Sequence, residues 1–167
     1  RVLVLQGDYA SGIRVLESSI NNLTEMPVER IDHYLQVIFD LQSVKKHQEA
    51  LALFGLIKPQ WLNGAHRREM LFWKAESYFE LGNYEQSAMM YLRSAKETNP
   101  NMSDNWAKSA RFKAAGALVS AHLYNDAETV YKSLLAITVN NARQAVIKQE
   151  LQHIQLLRNA QKNSSTI

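Results

Sequence analysis

Apolar residues recur along the whole chain at offsets of three and four, the spacing that lines one face of an α-helix. One compound pattern stands out. It is a small residue, a large apolar or aromatic residue four positions later, and a small or apolar residue three beyond that. A Tyr often lies three positions before the small residue. The pattern occurs as Tyr9, Gly12, Leu16, Ser19, as His47, Ala50, Phe54, Ile57, as Tyr84, Ser87, Tyr91, Ser94, and as Tyr124, Ala127, Tyr131, Leu134. The small residues stand at 12, 50, 87 and 127, so the spacings are 38, 37 and 40. Such near-constancy marks an internal repeat of helical units. In each unit the small residue admits a neighbouring helix and the bulky one fills the groove beside it.

Between these helices the apolar positions predict others of similar length, over about Val28–Ser43, Ala65–Leu81 and Asp104–His122. Their apolar stripes are wide, as expected for helices contacted on two sides. The breaks carry stop and start signals. Pro27 suits a helix start, Pro59 to Gly64 reads as a loop, and Asn99 to Asp104 as another, with Ser103 or Asp104 as cap of the next helix. Gly82-Asn83 reads as a tight turn in which Gly takes the left-handed conformation. A last helix over Asn141–Gln161, apolar on one face and Gln-rich elsewhere, reads as a cap over the final unit. The expected organisation is a single all-α domain over 1–161, with a partial unit at 1–22, units at 28–58, 66–98 and 104–138, a capping helix at 141–161 and a disordered tail at 162–167. The chain opens on Arg1 inside a stretch that reads as helix, which suggests a segment of a longer protein.

Composition agrees with this picture. Apolar residues make up 46%, enough for a core, and only three Pro and six Gly occur, which disfavours a turn-rich β fold. The net charge of +3 comes from scattered basic residues such as Lys45, Lys46, Arg67 and Arg68, with no basic run of the kind that marks a nucleic-acid footprint. Nucleic acid is therefore not an expected partner. The absence of Cys rules out disulfides and thiolate metal sites, and it fits the cytoplasm and the bacterial periplasm equally. No apolar run is long enough to span a membrane.

Candidate chemistry is sparse. The five His (33, 47, 66, 122 and 153) form no H-E-x-x-H pattern and no close pair with an acid at ligand spacing, so no metal is expected. His47 and His122 fall at helix-turn positions and read as surface or turn residues. No nucleophile elbow and no phosphate-binding Gly loop occur. Glu76 and Glu80, one helical turn apart, read as a solvated or groove-lining face rather than an acid–base pair. The expectation is a protein without catalytic residues and without a cofactor.

The stretch Leu71 to Pro100 resembles a tetratricopeptide repeat through Ala75, Tyr78, Gly82-Asn83-Tyr84, Ser87, Tyr91, Ser94 and Asn99-Pro100. Lys108 to Ala136 is similar through Ala115, Leu118, Tyr124, Ala127 and Tyr131, and Ile31 to Pro59 through Ile38, Leu41, Ala50 and Phe54. Departures are the spacing of 37 to 40 residues, His47 in place of the usual turn Tyr, and Arg111 where the family prefers an apolar residue. The resemblance implies a right-handed superhelix of antiparallel helix pairs, a tetratricopeptide-like α-solenoid of about three and a half repeats plus a capping helix.

It also implies a concave groove lined by the first helix of each repeat. Carried over residue by residue, that groove takes Asp32, Leu35, Gln36 and Phe39, then Glu69, Phe72, Trp73, Glu76, Phe79 and Glu80, then Ser109, Phe112, Lys113, Gly116 and Val119. Leu35, Phe39, Phe72, Phe79 and Phe112 would form an apolar stripe flanked by carboxylates, although any of these rings can equally be core. The places that clamp a terminal carboxylate in chaperone-binding members hold Leu35, Phe39, Glu69 and Trp73 here, which excludes that activity. The implied function is a scaffold or adaptor module of a larger bacterial protein, binding a partner peptide or helix in the groove. Self-association by repeat stacking is the alternative, and helical-repeat RNA binding a weaker one.

Overall fold

The structure, a computed structural model, describes residues 1–21, 23, 25, 27–97 and 101–164. Asn22, Asn99-Pro100 and the tail beyond 164 lie outside the described residues. Among the described residues the chain is all-helical. Its helices are α1 (Val2–Leu5), α2 (Tyr9–Ile20), α3 (Val28–Ser43), α4 (His47–Leu56), α5 (Gly64–Glu80), α6 (Tyr84–Lys96), α7 (Asn105–Ser120), α8 (Tyr124–Ala136) and α9 (Asn141–Ser164), with one 3-10 turn at Pro59–Trp61. Each expected helix is present to within a few residues. The last helix, α9, continues through Ser164, three residues beyond the expected end of the capping helix. Its polar face and the two buried apolar residues Ile147 and Ile154 let it run on along α8.

The starts of α2, α5, α7 and α9 are capped by short polar side chains. Asp8 accepts from Ser11 N at 3.2 Å, Asn63 from His66 N at 2.9 Å, Asp104 from Ala107 N at 2.7 Å, and Asn140 from Arg143 N at 3.0 Å. Each satisfies one of the amides that a first turn leaves unbonded.

Consecutive helices pack on one another as adjacent pairs, and α1 on α3 and α2 on α4 join the first pair to the second. The repeated pattern forms the seams. Ala50, Ser87 and Ala127 are fully buried, and so are the bulky residues Phe54, Tyr91 and Tyr131 one turn on. A Cβ added at Gly12 would lie 2.9 Å from Val4 Cγ2, so a side chain there would force α1 and α2 apart. Ser87 keeps its hydroxyl satisfied by donating to Ala75 O at 2.9 Å.

The repeat is also written in the backbone. The residues at positive φ include Gly7 (85°), Lys45 (64°), Gly82 (77°) and His122 (61°), each five positions before the small residue of its unit. All four turns close with the same two bonds. They are Gly7 N to Val4 O with Asp8 N to Leu3 O, Lys45 N to Gln42 O with Lys46 N to Leu41 O, Gly82 N to Phe79 O with Asn83 N to Tyr78 O, and His122 N to Val119 O with Leu123 N to Leu118 O. This is the helix stop in which a left-handed residue redirects the chain. Lys45 and His122 hold that conformation against the clash of their Cβ with the backbone. Lys45→Gly and His122→Gly are each expected to stabilise the fold by about 0.5–1 kcal/mol in urea melts, the relief exceeding the entropy that glycine adds to the unfolded chain. A loss of stability in both would mean that the turns are held by those side chains instead.

Candidate functional site

The expected groove residues do not share one surface. Leu35 is a correction: it is only 4% exposed and belongs to the core of α3 and α4. It shares its helix face with Ile31 and Ile38, and that face is covered by α4. Phe79 is half-buried, with its ring 5.2 Å from Tyr84, and packs beside the α7–α8 core without lining either cavity. Asp32 and Glu69 stand apart. Asp32 pairs with His66 (Nε2 to Oδ1, 3.3 Å), and Glu69 lines neither of the two cavities described here.

Phe39 and Glu76 do come together, in a cavity of about 470 Å3 between α3, the α3–α4 turn and α5. Phe39 packs on Trp73 with ring centroids 5.1 Å apart. Gln42 reaches across from α3, donating through Nε2 to Trp73 O at 2.7 Å and Ser77 Oγ at 2.8 Å. Lys45 Nζ lies 3.4 Å from Glu80 Oε2 at the rim. His47, expected at the surface, lines this cavity and is only 8% exposed. It opens α4 in the place where Tyr84 opens α6. Neither ring nitrogen of His47 has a hydrogen-bond partner, nor does Trp73 Nε1, and all three atoms are buried.

Phe112 and Lys113 come together in a second cavity of about 310 Å3, between α7, the end of α8 and the start of α9. The two cavities meet at one ion pair, Lys113 Nζ to Glu76 Oε1 at 2.5 Å. The same Glu76 oxygen accepts from Tyr91 Oη at 2.5 Å. Burial, followed by the bond and charge of Glu76 and the charge of Glu80, pushes the Tyr91 phenol far above its ordinary range, so it remains a donor. Phe72 lies beneath this knot. Its ring contacts Trp73, Tyr91 and Trp106 at 5.5, 5.2 and 5.0 Å, and Lys113 Nζ sits 5.8 Å above it. Phe72 therefore supports the face more than it forms it. The Trp73, Tyr91 and Trp106 rings would lose their common neighbour without it.

Sequence reasoning missed Gln42, Ser43 and Lys45 in the first cavity and Leu134, Thr138, Arg143, Val146 and Ile147 in the second. These sit at helix ends and turns, where periodicity carries no facing information. Among the described residues no cluster of three or more His, Asp, Glu or Cys is placed to hold a metal ion, and no helix is long and apolar enough to cross a membrane. Comparison with known proteins finds no matching family model, no matching curated relative and no matching solved structure.

Proposed function

We propose that this chain is a tetratricopeptide-like interaction module that binds a segment of a partner protein across the face where the two cavities meet. The observation that carries the reading is the first cavity. It combines an aromatic wall (Phe39, Trp73) with carboxylates (Glu76, Glu80) and a rim cation, Lys45. The side chains of a peptide supply apolar surface for the aromatic wall, and its polar groups meet the charged rim. Peptide recognition needs little more than such a shaped, partly apolar strip. The helical seams behind it are fully buried, which holds the strip rigid and limits the ordering cost of binding.

The test is selection of binding segments from a displayed peptide library, followed by affinity measurement with Glu80→Lys. Glu80 is exposed at the rim, so the variant should keep its helical circular dichroism and melting temperature. The selected segment is expected to bind the variant about tenfold or more weakly, because a charge at an interface is inverted. Unchanged affinity would place binding elsewhere on the molecule.

A second reading, self-association, is favoured by a shallow apolar groove between α6 and the end of α7 with the turn after it, where Met89 is 51% exposed beside Leu92, Leu118 and Leu123. Sedimentation equilibrium with Met89→Asp separates the two readings, since an assembly through this groove would dissociate and peptide binding would be untouched.

A further inference from the structure

The second cavity has a floor of Phe112, Leu134, Val146 and Ile147 and a rim of Lys108, Lys113 and Arg143, and no carboxylate lines it. Val146 is 46% exposed, so apolar surface stands open to water at its mouth. The three cations are not equivalent. Lys113 is matched by Glu76. Lys108 and Arg143 enter no ion pair among the described residues, although they flank the opening from α7 and α9. An apolar hollow between two unmatched cations selects its occupant by complementarity. The body must be apolar and the flanks anionic. A basic segment would meet like charge, and a purely acidic one would leave the floor wet.

We propose that this cavity seats one bulky apolar side chain of the partner segment, with Asp or Glu residues beside it engaging Lys108 and Arg143. This rests on the reading of the face as a peptide-binding surface and adds the chemistry that its far end selects. The volume of about 310 Å3 lies at the small end of ligand cavities, suited to one large side chain rather than to a cofactor. The Glu76–Lys113 pair at the border gives the face a polarity, with carboxylates on the Phe39 side and cations on the Phe112 side. The acidic–apolar part of the segment therefore lies toward α9.

Short fluorescent peptides test this by polarisation. One series carries a Leu or Phe flanked by Asp, a second the same residue flanked by Lys, and a third Asp with no apolar residue; a degenerate pool serves as reference. The probes are titrated into the wild type and into Lys108→Glu/Arg143→Glu, two rim substitutions outside the core whose fold is checked by circular dichroism. The expected result is preference for the acidic–apolar series by about tenfold, weakening with added salt, and its loss in the double variant. Binding of the degenerate pool without that preference, or a preference that survives the double variant, overturns this inference and leaves the peptide-binding reading standing. Binding of no peptide at all overturns both. Displacement of the acidic–apolar probe by equimolar decanoate would make a free alkyl carboxylate the occupant and also overturn it.

Discussion

Tyr131→Ala is expected to cost about 3–5 kcal/mol of stability, the range for truncating a large buried ring. Tyr131 is 1% exposed and stands at the centre of a core shared by α7, α8 and α9, among Ala115, Leu118, Ala127, Leu134, Ile147 and Ile154. Its ring meets Phe112 edge-on at 5.4 Å, and its hydroxyl lies 3.8 Å from the place a Cβ would take at Gly116. Its small neighbours Ala115 and Ala127 cannot swing in to fill the space, so much of the cavity would persist. Domains of this kind are stable by only about 5–15 kcal/mol, so the variant should be close to unfolding at physiological temperature. Tyr131→Phe, which keeps the ring, should lose about 1 kcal/mol or less. Urea melts of the two variants check this, and a loss below about 1 kcal/mol in Tyr131→Ala would mean that the seam between α8 and its neighbours is not a packed core.

The second large effect has the opposite sign. Arg111 is 7% exposed. Its guanidinium donates to Ser133 Oγ at 2.6 Å and, at 3.5 Å, to Met102 O, and no carboxylate pairs with it among the described residues. Burial pulls its pKa below the ordinary arginine value. A buried cation without a matching anion carries most of its desolvation cost uncompensated. Arg111→Met keeps the length of the side chain and removes the charge, and it is expected to raise stability by about 1–4 kcal/mol. Because Arg111 stays protonated in both folded and unfolded chains at neutral pH, the gain should be the same at pH 6 and pH 8, where arginine does not titrate. Destabilisation would show that the bonds to Ser133 and Met102 outweigh the burial of the charge.

How far the sequence carried the picture depends on the residue. The pattern of Ala50, Ser87 and Ala127 with Phe54, Tyr91 and Tyr131 is legible because close packing of helices demands small and large residues at fixed offsets, and these six are buried as it requires. The turn at Gly82 is legible because glycine advertises positive φ. His122 reads as a turn residue too, but the left-handed conformation that it and Lys45 adopt is not legible, since tertiary packing imposes it on residues that do not prefer it. Arg111 was visible as a departure from an apolar position, but its burial without a carboxylate needed the structure. The site is legible only in part. Periodicity places Leu35, Phe39, Phe79 and Phe112 on helices but not toward a particular neighbour, and Leu35 faces the core while Phe79 lines neither cavity. His47 looked like a surface turn residue because burial of a polar ring at a helix start has no local signature.

The most direct measurement uses the three Trp residues as reporters of where a partner segment lies. Their indole N–H signals are resolved in a two-dimensional nitrogen–proton spectrum of the labelled protein, each assigned by single Trp→Phe replacement. Trp73 Nε1 is buried without a partner at the first cavity, Trp106 Nε1 already donates to Ser94 Oγ at 3.0 Å, and Trp61 lies beside Lys58 in the loop before α5. Titration of the library-selected segment should shift the Trp73 signal strongly and leave that of Trp61 in place. A segment that binds with the Trp73 signal unmoved and the Trp61 signal displaced would contradict the assignment of this face as the binding surface.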